Sequence, residues 1–234
     1  MQAKDLYEYL GSKNYPGRGI VIARTPCGRK MRIAYFIMGR SENSRNRIFT
    51  ETEGGIRTEA YDISKLVDPS LIIYSPVRKL GNKLIVTNGD QTDTIYENMQ
   101  AGKMFEEALC LRTFEPDEPN YTPRISAVIN GFDYQMSILK SAEGNPNSMH
   151  RYFFDYTEEL PGYGHIIHTY QSDENPLPSF EGEPVLFKLV KEPFESFAQH
   201  VWESLNVDNK ISLYVTQIEP GSDEVKTIIF NKNQ

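Results

Sequence analysis

From Leu84 to Gly131 the chain reads LIVTNGDQTDTIYENMQAGKMFEEALCLRTFEPDEPNYTPRISAVING. An apolar, β-branched run, Leu84-Ile85-Val86, meets Thr87-Asn88-Gly89-Asp90, and Gln91-Thr92-Asp93-Thr94 then opens a helical pattern. The helix gives way to a Pro-bounded loop, Glu115 to Arg124, and a second strand-like run, Ile125 to Ile129, closes the unit. Two polar clusters thus stand at the mouths of two strands joined by a helix, the place where a rigid scaffold carries its chemistry. Each feature alone also has a plain reading. Asn88-Gly89 suits a turn with a positive φ, and Thr92 or Asp93 suits an N-cap. Glu115, Asp117, Glu118 and Arg124 crowd one loop, which reads as either a solvated acidic turn or a site.

The flanking chain continues this mixed α+β pattern. The spacing predicts a short helix over Ala3–Leu10, a turn at Asn14–Gly19, and a buried strand at Ile20–Ala23. Thr25–Gly28 is turn chemistry, and Met31–Met38 is the strand's hairpin partner. Gly39–Arg47, GRSENSRNR, follows a strand, contains no apolar residue and holds Arg40, Arg45 and Arg47. A guanidinium fork suits phosphate oxygens; the alternative is a solvated loop. Further strands are expected at Glu59–Ser64, Leu71–Tyr74, Lys83–Thr87 and His150–Tyr156. A hairpin is expected from Arg124–Ile129 and Tyr134–Lys140 around Asn130-Gly131.

Gly102 interrupts the helical spacing of Ile95, Met99, Phe105 and Leu109, predicting a kink or two helices. His165 and His168 fall on opposite faces of one strand and so do not share a metal. The apolar stripe over Glu192–Leu205 predicts a packing helix. No linker, repeat or low-complexity segment divides residues 1–234, so one domain is expected.

A formal net charge of −7 excludes a general binder of nucleic-acid backbone, although a local arginine cluster could hold one phosphate. The 12 Phe and 14 Tyr suit a substantial core. Cys27 and Cys110 are too few for a disulfide framework and read as free cytosolic thiols. The charged stretch Met1–Gly11 has no apolar leader core, and no run reaches membrane-spanning length. A cytoplasmic protein that binds neither membrane nor nucleic acid is the expectation. The chain has no Walker A pattern, no GxGxxG after a strand, no HExxH, no CxxC and no GxSxG. What remains is an α+β domain with an Arg/Ser/Asn loop and an acidic/Arg loop, suited to a small anionic ligand.

The order Gly39-Arg40-Ser41…Asn46-Arg47, Ile73-Tyr74, Val86–Ile95 and Glu115–Gly131 resembles the archaeal-type inosine monophosphate cyclohydrolase family. The blocks TNGDQTDTI and TPRISAVING carry the resemblance, which covers roughly residues 15 to 140 by motif. It implies a four-layer αββα sandwich like that of N-terminal-nucleophile hydrolases, without self-processing. It further implies a homo-oligomer without metal or organic cofactor. The implied reaction closes 5-formamidoimidazole-4-carboxamide ribotide to inosine 5′-monophosphate with loss of water. The chain departs from the family pattern in the longer Ser41–Asn46 loop, in Ser75-Pro76, in the extra Tyr121 and in a divergent C-terminal part.

That reaction needs the two arms of the substrate held together, a developing oxyanion stabilised and a proton moved. The assignment it implies gives Arg40 and Tyr74 to the formyl oxygen and Glu115 to the proton. Arg47, with Ser41 and Arg124, holds the 5′-phosphate, and Asn88 contacts the carboxamide or ribose. Two other readings stay open: a different amide hydrolase on the same scaffold, and a non-catalytic purine-nucleotide-binding protein.

Overall fold

Side chains alternate across a strand, so a strand buried on both faces reads as an unbroken apolar run. This is the state of β2 (Arg18–Arg24) and β3 (Met31–Met38). Val21, Ala23, Ala34 and Phe36 pack with Leu6 and Leu10 of α1 (Leu6–Gly11) and with Phe194, Phe197 and Val201 of α5 (Phe194–Ser204). Ile20, Ile22, Ile33, Tyr35 and Ile37 instead join a cluster with Ile125, Ala127 and Ile129 of β8 (Arg124–Asn130). A third cluster sets Ile85, Val128 and Leu139 against Ile95 of α3 (Gln91–Gln100) and Phe105 and Leu109 of α4 (Phe105–Leu109).

The computed structural model describes residues 2–66, 69 and 73–233. It is a mixed α+β chain dominated by two seven-stranded sheets. Sheet I adds to β2 and β3 the strands β1 (Lys4–Asp5), β11 (Tyr163–His168), β12 (Val185–Lys188), β13 (Lys210–Ile218) and β14 (Val225–Asn231). Its order is β1-β12-β11-β2-β3-β13-β14, antiparallel throughout except that β1 runs parallel to β12. Sheet II is an antiparallel meander in chain order. Its strands are β4 (Arg47–Thr52), β5 (Gly55–Ala60), β6 (Val77–Leu80), β7 (Lys83–Thr87), β8, β9 (Asp133–Ala142) and β10 (Asn145–Tyr156). Among the described residues no helix is long and apolar enough to cross a membrane.

Several local expectations shift for identifiable reasons. The first helix begins at Leu6, because the Asp5 carboxylate accepts from the backbone N–H groups of Tyr7 and Glu8. The strand expected at Glu59–Ser64 is displaced toward the N-terminus as β5, and Ile63–Lys65 is a 3-10 turn capped by Asp62. Of the strand expected at Leu71–Tyr74, Leu71 and Ile72 lie outside the described residues, and Ile73 and Tyr74 are not in a strand. The Gly39–Arg47 segment is no open loop: Glu42–Arg45 forms α2, and Arg47 starts β4. The Gly102 break does divide two helices, α3 and α4. Gly131, with φ +66°, turns the β8–β9 hairpin. His165 meets Tyr134 on one face, and His168 meets Tyr9 on the other.

Candidate active site

Three arginines open three strands and enter one buried polar group: Arg18 on β2, Arg47 on β4 and Arg124 on β8. Glu115 is the carboxylate among them, 5% exposed. Its backbone N–H donates to the Thr122 carbonyl at 2.9 Å, which closes the Pro-bounded loop on itself. Burial raises the Glu115 pKa; the guanidinium groups of Arg18, Arg124 and Arg47 oppose that shift, and Asp117 adds to it. The result is a carboxyl poised to hold or release a proton.

Arg47 is 1% exposed and donates Nε to the Ser44 carbonyl at 2.8 Å and Nη2 to the Met38 carbonyl at 3.3 Å. Burial and then the like charge of Arg18 lower its pKa, against the phenols of Tyr74, Tyr35 and Tyr15. Arg18 is opposite in sign. Burial disfavours its charge, but Glu115, Tyr170, Tyr74 and Tyr15 outweigh that and raise its pKa. Arg124 donates Nη1 to Gln91 Oε1 at 2.7 Å and pairs with Asp90 at 2.8 Å, while Asp90 also pairs with Arg112 at 2.5 Å. Its Nε is buried without a partner among the described residues.

Tyr74 is fixed by its backbone. Its N–H donates to the Thr58 hydroxyl at 3.0 Å, and its carbonyl accepts from the Thr58 hydroxyl at 2.8 Å. Its own hydroxyl then lies 3.0 Å from that of Tyr35 on β3. On the other side of the group the Thr122 hydroxyl meets the Tyr170 hydroxyl at 2.5 Å and also donates to Asp117.

The remaining expected residues are placed differently. Asn88 is fully buried and spends its amide internally: Nδ2 donates to the Pro123 carbonyl, while Oδ1 accepts from Gln91 and from the Ile125 N–H. It braces the mouths of β7 and β8 against each other. Ser41 is exposed and caps α2, its hydroxyl accepting from the Ser44 N–H at 3.2 Å. Arg40 is exposed, lies 4.8 Å over the Tyr15 ring and donates to the Asp173 carbonyl at 2.8 Å. Among the described residues its contact toward the buried group is Tyr15, which stacks on Tyr170.

Gly89 departs from its expected role. Its φ is not positive. A Cβ there would instead lie 2.6 Å from both Arg124 Nη1 and Gln91 Oε1, and 3.4 Å from Glu115 Oε1. Glycine is needed for that close approach.

Arg18, Tyr35 and Tyr170 escape a reading of the sequence. Arg18 sits in what reads as a turn, between two glycines; yet it shares with Arg47 and Arg124 the signature of an arginine opening a strand. Gly17 is required both by its φ of +78° and because a Cβ there would strike Thr169 and Tyr170, and Gly19 by packing, since a Cβ there would strike Phe36. A separate cavity of about 640 Å³, lined in part by Glu51, Lys79, Lys83 and Tyr214, shares no residue with this group. Among the described residues no cluster of three or more His, Cys, Asp or Glu could hold a metal ion.

A sheet-dominated α+β protein that gathers three arginines and several phenols around one carboxyl is suited to a small anion and to proton transfer. The chain belongs to the family described as IMP cyclohydrolase-like protein, which matches residues 15–223. It is 29% identical over 120 residues to the IMP cyclohydrolase of Methanococcus aeolicus, a stretch covering 50% of this chain and 58% of that protein. The IMP cyclohydrolase of Methanopyrus kandleri is 27% identical over 67% of this chain and 75% of its own length. That of Methanocaldococcus jannaschii is 24% identical over 72% and 81%.

Proposed function

We propose that the chain is an IMP cyclohydrolase, closing 5-formamidoimidazole-4-carboxamide ribotide to inosine 5′-monophosphate in purine biosynthesis. The supporting observation is the convergence of Glu115, Tyr74, Arg47 and Arg124, from four separate segments, on one buried group. The carboxamide nitrogen is a weak nucleophile because its lone pair is delocalised. It attacks the formyl carbon of the same molecule, a C–N bond forms, and the formyl oxygen gains negative charge. Tyr74 donates to that oxygen, where a fixed donor acts without reorganising. Glu115 takes one proton from the attacking nitrogen and returns it to the oxygen, giving a hydroxyl; the proton of the formamido nitrogen, relayed the same way, then lets that hydroxyl leave as water as the C–O bond breaks and the ring C=N bond forms. A raised pKa suits a carboxyl that must do both.

Arg47 holds the 5′-phosphate and Arg124 the base side of the ligand. Asn88 keeps the mouths of β7 and β8 in register, and Arg40 and Ser41 frame the rim. No metal or organic cofactor enters this reading. The two sheets, with α1 and α5 on one and α3 and α4 on the other, are read as a four-layer αββα sandwich of the N-terminal-nucleophile hydrolase type. Residues 1–234 are read as one domain, working in the cytoplasm as a homo-oligomer. Ultraviolet absorbance of the ring closure by purified protein tests the activity. Unchanged turnover in Glu115→Gln would remove Glu115 from the chemistry.

A further inference from the structure

Of the three arginines that open β2, β4 and β8, two have no anion bonded to them. Arg124 meets Asp90, but neither Arg18 nor Arg47 forms an ion pair with any carboxylate among the described residues. Arg47 spends two of its N–H groups on carbonyl oxygens, which orient the guanidinium without cancelling its charge. The Nε of Arg18 is buried and has no partner among the described residues. The two arginines meet at Met38, whose carbonyl accepts from Arg47 and whose N–H donates at 2.8 Å to the carbonyl of Gly17, the residue before Arg18, and Arg18 acts on Arg47 as a like charge. Glu115 is one carboxyl set against both guanidinium groups, and two close positive charges with a single carboxyl between them are costly to desolvate unless a bound anion completes the site. A phosphate monoester carries close to two negative charges and presents oxygens that match the guanidinium fork.

We propose that Arg18 and Arg47 together form the seat of a phosphate monoester, with Arg18 the second guanidinium of that seat. Arg124, already matched by Asp90, and Ser41, engaged in capping α2, lie outside it. The proposal rests on the cyclohydrolase reading only for the identity of the ligand as a purine ribotide; the seat itself requires a 5′-phosphate and nothing of the base.

Calorimetric titration of the full chain with inosine 5′-monophosphate, ribose 5-phosphate and inosine tests it. Arg18→Met should weaken both phosphate esters by about 10- to 100-fold, the size expected for losing a charge-assisted bond, and leave inosine unchanged. Arg18→Lys should keep part of the affinity, and Arg57→Met, on an exposed residue of β5, should change nothing. An equal loss for inosine and its monophosphate, or no loss for either ester, overturns the seat. If Arg18→Met does not fold, Arg18→Lys is read against the same three ligands, with a loss confined to the esters expected. If ribose 5-phosphate binds in an Arg18-dependent way while the purine adds no affinity, the seat stands and the cyclohydrolase reading falls.

Discussion

The hydroxyl of Tyr35 lies 3.0 Å from the hydroxyl of Tyr74, joining the middle of β3 in one sheet to the segment that precedes β6 in the other. One of the two oxygens must donate and the other accept, so the pair fixes where the remaining Tyr74 valence points. Tyr74→Phe removes that group while keeping the ring, which is 6% exposed. Turnover should fall on the order of 10²-fold with KM little changed, as for a donor used only in the transition state. Steady-state kinetics of ring closure measure both.

Glu115→Gln should lower turnover by about 10²- to 10⁴-fold while product binding is retained. The same substitution has a thermodynamic signature. The folded-state pKa of Glu115 is raised above its ordinary 4.5, so the folded protein binds the proton more tightly than the unfolded chain does. Stability from this group is therefore present at low pH and is lost as pH climbs from the ordinary value through the folded one. The variant should match the wild type in acid and exceed it at neutral pH. Thermal denaturation from pH 4 to 8, on the order of one pH unit per step, reads the difference.

Gly89→Ala should be disruptive although the backbone there is ordinary. The added Cβ would meet Arg124 Nη1 and Gln91 Oε1 at 2.6 Å. Arg124 is tied to Asp90 and cannot retreat freely. A loss of about 1–3 kcal/mol in stability, with reduced turnover, is expected from chemical denaturation and kinetics.

His168 supplies an acid limit. It is fully buried, with Nε2 2.6 Å from the Tyr9 hydroxyl and Nδ1 2.9 Å from the Tyr170 carbonyl, an arrangement that suits neutral imidazole. Burial, with a smaller contribution from Lys13, pushes its pKa down from 6.5 to about 3. The folded state thus resists the proton that the unfolded chain accepts. Stability from His168 is complete above pH 6.5 and drains away toward pH 3. His168→Gln should flatten that acid limb, an effect on the order of a few kcal/mol, seen in denaturation midpoints against pH.

The position of polar groups at strand mouths is legible: Arg47 and Arg124 each stand where a strand begins, and Glu115 opens the Pro-bounded loop that Arg124 closes. Contiguity misleads for Arg40 and Ser41: they share nine residues of sequence with Arg47, but α2 folds between them, taking Ser41 as its cap and leaving Arg40 outside. Arg18 is hidden by its glycine neighbours. Sheet order is legible in β4 to β10, where neighbours in sequence pair in space. It is not legible in β2–β11 or β3–β13, which join residues more than a hundred positions apart and leave no local mark.

Ring closure itself is the most direct measurement. Purified wild-type protein, given 5-formamidoimidazole-4-carboxamide ribotide without added metal, should form inosine 5′-monophosphate by absorbance, and Glu115→Gln should lose nearly all of that rate. A wild-type protein that binds the ribotide but never closes it, or a Glu115→Gln variant that closes it equally fast, contradicts a catalytic role for this carboxyl.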